Sequence, residues 1–289
     1  MPALESFVRE NMDPLIYGCF FGSLLLLGLL ELWITRSERA APRRRRWPAN
    51  GAITVLNIVL LGALPLSGLV VAELAQANGW GLFNQLEFSV AVVLIAGFLI
   101  RSFASYTIHV AMHKVPILWR LHRVHHTDTA MDVSTTVRFH PLEFIVSVPI
   151  IVGLIAMTGI PPLVIMLYEL FDAVMAVFSH ANIRLPRPIE RILQWLLVTP
   201  DMHRVHHSST QAETDSNYGA TLSIWNRLFR TYQVKSDAGL TAMELGLSEC
   251  RDKRTSSFWW LMALPFFGAK ISRLEKTAST SIENRPAVD

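Results

Sequence analysis

The chain has 289 residues, of which 51% are hydrophobic and 17% charged, with a mean hydropathy of +0.34. This is too apolar for an ordinary water-soluble domain and indicates a single multi-pass membrane unit. The net charge of +3 comes almost entirely from one arginine cluster, which argues against nucleic-acid binding, and a cysteine count of 2 excludes a disulfide framework or a thiolate zinc site.

The first 14 residues are mildly acidic and lack the positive start and cleavage site of a secretory signal, so they are expected to be retained. Residues 15–34 are apolar and helix-compatible, roughly 30 Å in length and enough to cross a bilayer core. Arg36, Arg39 and the run Arg43–Arg46 follow. As one short loop they fix that side as cytoplasmic and leave the N-terminus outside. Residues 53–72 read as a second span with Pro65 tolerated inside it, and 73–87, which lack Lys and Arg, as an outside loop. Residues 88–103 return through the membrane. The pattern then turns polar at Arg101, Ser102, Ser105 and Thr107, while remaining compatible with helix up to His113.

Residues 142–158 and 163–179 form a second apolar pair around the turn signal Gly159, Ile160, Pro161, Pro162. Each arm is near the lower limit for a span, so the hairpin either crosses or stays shallow, and in both cases the chain returns to the side it left. Arg184, Arg187 and Arg191 agree with a cytoplasmic return. Glu169 and Asp172 are ionisable groups at membrane depth, where such groups usually face an interior or a polar cavity. Residues 186–197 read as an amphipathic surface helix, 258–267 as an aromatic interfacial segment, and the last 15 residues as disordered. The expected organisation is N-terminal membrane helices over 1–100, a catalytic region over 101–235 containing the hairpin 142–179, and a C-terminal interfacial segment and tail over 236–289. The fold class is an all-α integral membrane protein, with about four to five membrane helices and a cytoplasmic helical cap holding a histidine-rich di-metal site.

All 10 histidines lie between Arg101 and Tyr232. They comprise His109 and His113 in HVAMH, His122, His125 and His126 in LHRVHH, His203, His206 and His207 in a second HRVHH, and the single residues His140 and His180. Residues three and four apart share a helix face, so each motif is expected to present converging imidazoles. Such clustering points to metal, and so many donors suit two ions rather than one. Imidazole serves iron, zinc and copper alike, which leaves the metal open.

These motifs, with TTVRFHPLE at Thr135–Glu143, SHAN at Ser179–Asn182, NYG at Asn217–Gly219 and IWNRLFRTY at Ile224–Tyr232, resemble the fatty acid hydroxylase or sterol desaturase superfamily. Thr127, Asp132, Asn226 and Arg230 depart from the residues usual there. The resemblance implies a membrane-bound oxygenase that uses O2 and external electrons to hydroxylate or desaturate a lipid. It implies two iron ions, ferrous in the working state and replaceable by zinc in isolated protein, held by the histidines named above. The chemistry agrees, because an unactivated lipid C–H bond gives side-chain acids and bases no handle and requires a redox metal.

Two ferrous ions held by neutral ligands need nearby anions, and Asp128, Asp132, Glu143, Asp172, Asp201 and Asp215 are candidate acceptors for ligand N–H groups. Glu143 is the first choice, three residues after His140 on one helical face; Asp172 and, from the SHAN stretch, Asn182 complete the set placed beside the site. No Rossmann glycine fingerprint, haem motif or cysteine cluster occurs in the chain. Partners are therefore the lipid substrate, the membrane and an external electron donor: a ferredoxin or cytochrome b5 with its reductase, or a reduced pterin. The expected location is the inner or plasma membrane of a bacterium, or the endoplasmic reticulum of a eukaryote. A membrane zinc hydrolase is the alternative, although Val110 and Arg123 stand where HExxH requires glutamate. A metal transporter is the other, although it would place its ligands within the spans rather than at their ends.

Overall fold

The computed structural model describes residues 2–37, 42–65, 67–234, 236 and 238–267, and within these the chain is built of helices joined by short connections, with three isolated β-bridges. The first half comprises α1 (Pro2–Glu10), α2 (Met12–Trp33), α3 (Arg43–Ala63), α4 (Gly68–Asn78), α5 (Leu82–Gln85), α6 (Val90–Lys114) and α7 (Pro116–His126). The second comprises α8 (Pro141–Thr158), α9 (Pro162–His180), α10 (Arg187–Leu193), α11 (Pro200–His206), α12 (Gln211–Thr214), α13 (Ile224–Leu228) and α14 (Phe258–Ala263). Five stretches, 12–33 (α2), 43–85 (α3 to α5), 90–114 (α6), 141–158 (α8) and 162–180 (α9), are long and apolar enough to cross a membrane. The protein is a multi-pass membrane protein.

Packing fixes which ends of these helices lie together. Val8 and Met12 cluster with Leu163 and Met166, whereas Leu27 and Leu30 pack with Val177 and Ala181, so α2 and α9 run side by side in the same direction. Their far ends are joined by the bridge Thr35↔Ile183, with Arg36 N–H donating to the Asn182 carbonyl at 2.9 Å and Arg184 N–H to that of Ile34 at 2.8 Å. The start of α3, the ends of α6 and α9, the start of α8 and all of α7 gather at this same end. The hairpin is not shallow. Its tip, Gly159 in the left-handed conformation (φ 68°), meets the connection after α4, where an added Cβ would stand 2.7 Å from the Trp80 carbonyl oxygen. That connection precedes α6, at the end of α6 remote from His109 and His113, so α8 and α9 match α6 in depth.

Two expectations about the second span are corrected. A single helix over 53–72 does not form, because Pro65 forces Leu64 into extended backbone (ψ 134°) and α3 stops at Ala63. The span instead begins ten residues earlier, so Arg43–Arg46 is the first turn of α3 rather than part of a loop. Four cations at a helix N-terminus oppose the helix dipole, and the compensation is ionic: Arg43 pairs with Glu31, and Arg46 with both Asp128 and Asp132. Likewise 73–87 is not simply a loop. Ser67 caps α4 by accepting from Val70 N–H at 3.2 Å, Gly79 ends it at φ 68°, and Val71, Ala72 and Ala75 are buried, the first two against α8 and α9.

Over the gathered ends lies a cap made of α7 and α10–α14. The aromatic segment expected at 258–267 folds as α14 and a 3-10 turn, with Leu261 and Leu264 buried on Ala49, Ile53 and Val124 and Trp259 left exposed. The expected surface helix is α10, which exposes Ile189 and Ile192 beside Arg187 and Arg191. Arg39 and the last 15 residues fall outside the described residues.

Candidate metal centre

Nine of the histidines form two clusters, and the way the motifs divide between them follows from helix geometry. His109, His113, His122, His126 and His206 make the first cluster; His125, His180, His203 and His207 make the second; within each, one ring nitrogen per residue lies within 4.8 Å of all the others. The expectation that each HxxHH presents one converging trio is corrected. Successive residues on a helix are about 100° apart, so the outer pair, four residues apart, aims one way and the middle histidine another. On α7 the outer pair His122 and His126 serves the first cluster and His125 the second; on α11 and its C-cap the assignment is reversed. The clusters are adjacent, with the His126 and His207 rings stacked at 4.5 Å between centroids.

Hydrogen bonds set the tautomers. Nδ1–H of His109 donates to the Tyr218 carbonyl at 2.7 Å, that of His206 to the Ser216 carbonyl at 2.7 Å, and that of His122 to Glu143 Oε1 at 3.0 Å. In the second cluster His180 Nδ1–H donates to the Ala176 carbonyl at 2.7 Å. These oxygens only accept, so in each neutral ring the proton is on Nδ1 and Nε2 is left as a bare lone pair. Yet His109 Nε2 lies 3.0 Å from both His122 Nε2 and His206 Nε2, with no proton among the three. In the second cluster the bare Nε2 of His180 faces His125 Nε2 at 3.1 Å and His203 Nε2 at 3.0 Å, and Nδ1 of His125, His203 and His207 is buried without a hydrogen-bond partner. Converging lone pairs in a buried site repel one another unless a cation lies between them, which is the arrangement a metal ion requires. Both ring nitrogens of His113 are also buried without a hydrogen-bond partner. The residues therefore fit metal ions.

The turn 216–218 is the backbone device behind two of these bonds. Asn217 takes the left-handed conformation (φ 50°), which asparagine tolerates, so the flanking carbonyls of Ser216 and Tyr218 reach His206 and His109. Its side chain locks the turn by donating to the Met202 carbonyl at 3.1 Å and accepting from Gln233 N–H at 2.9 Å.

Burial, reinforced by neighbouring imidazoles, holds His125, His126, His203 and His207 well below the ordinary histidine pKa, and His206 is pushed down to about 3. The rings are neutral, and so able to bind metal, at pH 7. The sign for metal-free protein is definite. Between the ordinary pKa of about 6.5 and the depressed folded values, the unfolded chain binds more protons, so stability is lost as pH falls through that window. Melts of chelator-treated protein in detergent should drop progressively from pH 7 to pH 4; a flat profile would refute buried neutral histidines.

The carboxylates divide by role. Glu143 touches His122, and Asp215 lies 3.5 Å from His113 Nδ1 while binding Lys114 at 2.9 Å. Asp128 and Asp132 do not reach the rings and instead neutralise the buried Arg46; burial alone would raise the Asp128 carboxyl, but Arg46 and Arg138 hold it below the usual range. Asp201 pairs with Arg36 at 2.8 Å. Asp172 lies two helical turns below His180 and makes no contact with the histidines. Asn182 is bound to Thr35 at 3.1 Å and to the Ser37 carbonyl at 2.9 Å, tying the segment after His180 to the end of α2.

His140 stands outside both clusters. Its Nδ1 accepts from Leu142 N–H at 3.2 Å, capping α8, and its Nε2 donates to the Met262 carbonyl at 3.1 Å. A capping residue that anchors α14 is spent on backbone groups, so His140→Asn should retain full metal content. Loss of an ion by elemental analysis would return His140 to the ligands.

Three residues of consequence escape a histidine-centred reading. Glu31 is 1% exposed and accepts from Val133 N–H at 2.9 Å and Asn182 N–H at 2.7 Å. Arg46 is buried among carboxylates, and Arg138, 0% exposed, donates to Asn50 at 2.9 Å and Thr127 at 2.8 Å and to the Thr255 carbonyl. Glu31 carried a signal: an acid in the last turn of an apolar span needs a partner.

Fold and site together define a helical membrane protein with two adjacent histidine clusters that could hold metal ions. Residues 94–231, just under half of the chain, match the fatty acid hydroxylase family model. It is similar to human alkylglycerol monooxygenase, 30% identical over 223 residues, covering 75% of this chain and 47% of the relative. Ornithine lipid hydroxylase of Rhizobium tropici is 29% identical over 161 residues, 54% of this chain and 47% of the relative. A very-long-chain aldehyde decarbonylase of Oryza sativa subsp. indica is 27% identical over 235 residues, 74% of this chain and 36% of the relative. The chain thus spans about half the length or less of these curated relatives. No solved structure matches it.

Proposed function

We propose that the protein is a membrane-bound di-iron oxygenase acting on a lipid, with each histidine cluster holding one iron. The observation that carries this is the pair of adjacent, buried clusters of ring nitrogens, in the first of which the bare Nε2 lone pairs of His109, His122 and His206 converge at 3.0 Å. The activities named for the relatives, on an alkylglycerol, an ornithine lipid and a long-chain aldehyde, favour lipid oxidation over zinc hydrolysis or metal transport. When bound, iron supplies the activation of O2 and the electron transfer that a C–H bond requires. The protein's own groups do the rest. Glu143 and the carbonyls of Ala176, Ser216 and Tyr218 keep the ligand protons on Nδ1, and burial excludes water from the rings.

The positions of Arg43–Arg46, Arg184, Arg187 and Arg191 at the histidine end favour a cytoplasmic site under the positive-inside rule. Hydroxylation breaks C–H and forms C–O with one oxygen atom of O2. The second atom leaves as water, taking two electrons and two protons, and the electrons must come from an external donor such as ferredoxin, cytochrome b5 or a reduced pterin. The test is reconstitution of iron-loaded protein with lipid extracts and each donor. O2 uptake matched by a lipid product heavier by one oxygen atom supports the reading; lipid hydrolysis without O2 uptake, or metal flux into vesicles, overturns it. NADPH alone should give no turnover.

A further inference from the structure

Below the metal centre, within the spans, lies a band of charged and polar groups that the histidine sites do not use. On α6 the stripe Arg101, Ser105, His109, His113 repeats every four residues, and on α9 Asp172 and His180 share a face, so Arg101 and Asp172 both sit two turns, about 12 Å of helix rise, below a ligand histidine. Arg101 donates to Ser105 Oγ at 2.6 Å and lies 4.6 Å from the centre of the Tyr168 ring, while its Nε is buried without a hydrogen-bond partner. Tyr168 continues the network to Ser105 at 3.2 Å and Thr221 at 3.4 Å.

Glu169 and Asp172 are the acids within reach of Arg101, yet among the described residues neither carboxylate makes a hydrogen bond or an ion pair. Charges placed in a membrane purely for structure are closed into contact pairs, because an open charge there is expensive. These are held apart. Immediately further from the metals, α6 and α9 frame an apolar groove of about 320 Å³ lined by Leu94, Ile95, Phe98, Leu99, Val164 and Leu167. Phe98 packs on Tyr168 at 5.1 Å between ring centres, so the groove wall runs directly into the polar band.

We infer that this band binds the polar group of the lipid substrate. The hydrocarbon tail lies in the α6–α9 groove, an ammonium or hydroxyl group donates to Asp172 and Glu169, and an oxygen of the same polar group accepts from Arg101. Resting on the oxygenase reading above, this has a regiochemical consequence. With the tail directed away from the metals, the carbon presented to the histidines belongs to the polar end of the lipid, not to mid-chain. The substrate class is a lipid whose polar group both donates and accepts, such as an aminoacyl zwitterion or a diol.

The experiment measures binding and product position separately. Metal-loaded full-length protein in nanodiscs is titrated with an ornithine-headed lipid, a 1-O-alkylglycerol and a fatty acid methyl ester of equal chain length, which offers no donor. The first two should bind at least about tenfold more tightly than the ester, and Asp172→Asn or Arg101→Gln should remove that preference while keeping both metals. Tandem mass spectrometry of the turnover product should place the new oxygen in the polar group or on the carbons next to it. Equal binding of all three probes, unchanged preference in both variants, or a mid-chain hydroxyl overturns the inference. If no lipid is oxidised at all, the oxygenase reading fails, while the binding arm still decides the subsite.

Discussion

Replacing His125 and His126 one at a time with alanine is expected to empty different metal sites, although the residues are neighbours in sequence. His126 shares its cluster with His122 and His206, and His125 with His203 and His207. Consequently His126→Ala with His206→Ala should cost one ion per chain, as should His125→Ala with His207→Ala, whereas combining His125→Ala with His206→Ala should weaken both sites. Each single replacement should lower turnover more than about a hundredfold, because even the residues that orient metal ligands are worth 10- to 100-fold in affinity or activity. Elemental analysis and a site-resolved iron spectroscopy make the measurement. If the same-cluster pairs and the cross-cluster pair gave the same stoichiometry, the division into two clusters would be wrong.

The second large effect falls on a residue that touches no histidine. Arg46 is 2% exposed and bonds Asp128 at 2.7 Å as well as Asp132, while Asp128 also accepts from Thr135 at 2.9 Å and from Ala130 N–H at 3.1 Å. Removing one member of a buried ionic group leaves the others charged and unpaired, at about 3–5 kcal/mol. Arg46→Met should therefore lower the melting temperature sharply and reduce metal retention, since Asp128 follows directly on the segment that carries His125 and His126. Arg44→Ala, at an exposed position one residue from Arg45 and two from Arg46, is the control and should change little. Equal melting of the two variants would show that Arg46 is not what holds this segment.

Much of the architecture is readable without coordinates because hydropathy and helix period are local properties. The five apolar stretches, the α8–α9 turn at Gly159 to Pro162 and the amphipathic α10 follow from composition and spacing alone. A local rule misplaces an element where it has a competitor. Pro65 lies within an apolar run, but Leu64 before it is extended, so α3 ends at Ala63 and starts as early as Arg43. His140 resembled a ligand because it lies among histidines, but Pro141 begins α8 there and turns the ring into a cap.

The three histidine motifs and the helices that bear them are legible in the sequence alone, because i and i+4 residues share a face in any helix. Their partnership is a property of the packing between helices. Whether His125 or His126 meets His207 depends on how α7 and α11 are rotated against each other. That rotation is set by distant contacts: Arg46 with Asp128, Arg138 with Thr127, Asn217 with Met202 and Gln233. The polar band below the site has the same origin, since Arg101 and Asp172 are 71 positions apart in the chain and come to one level only because α6 and α9 pack side by side.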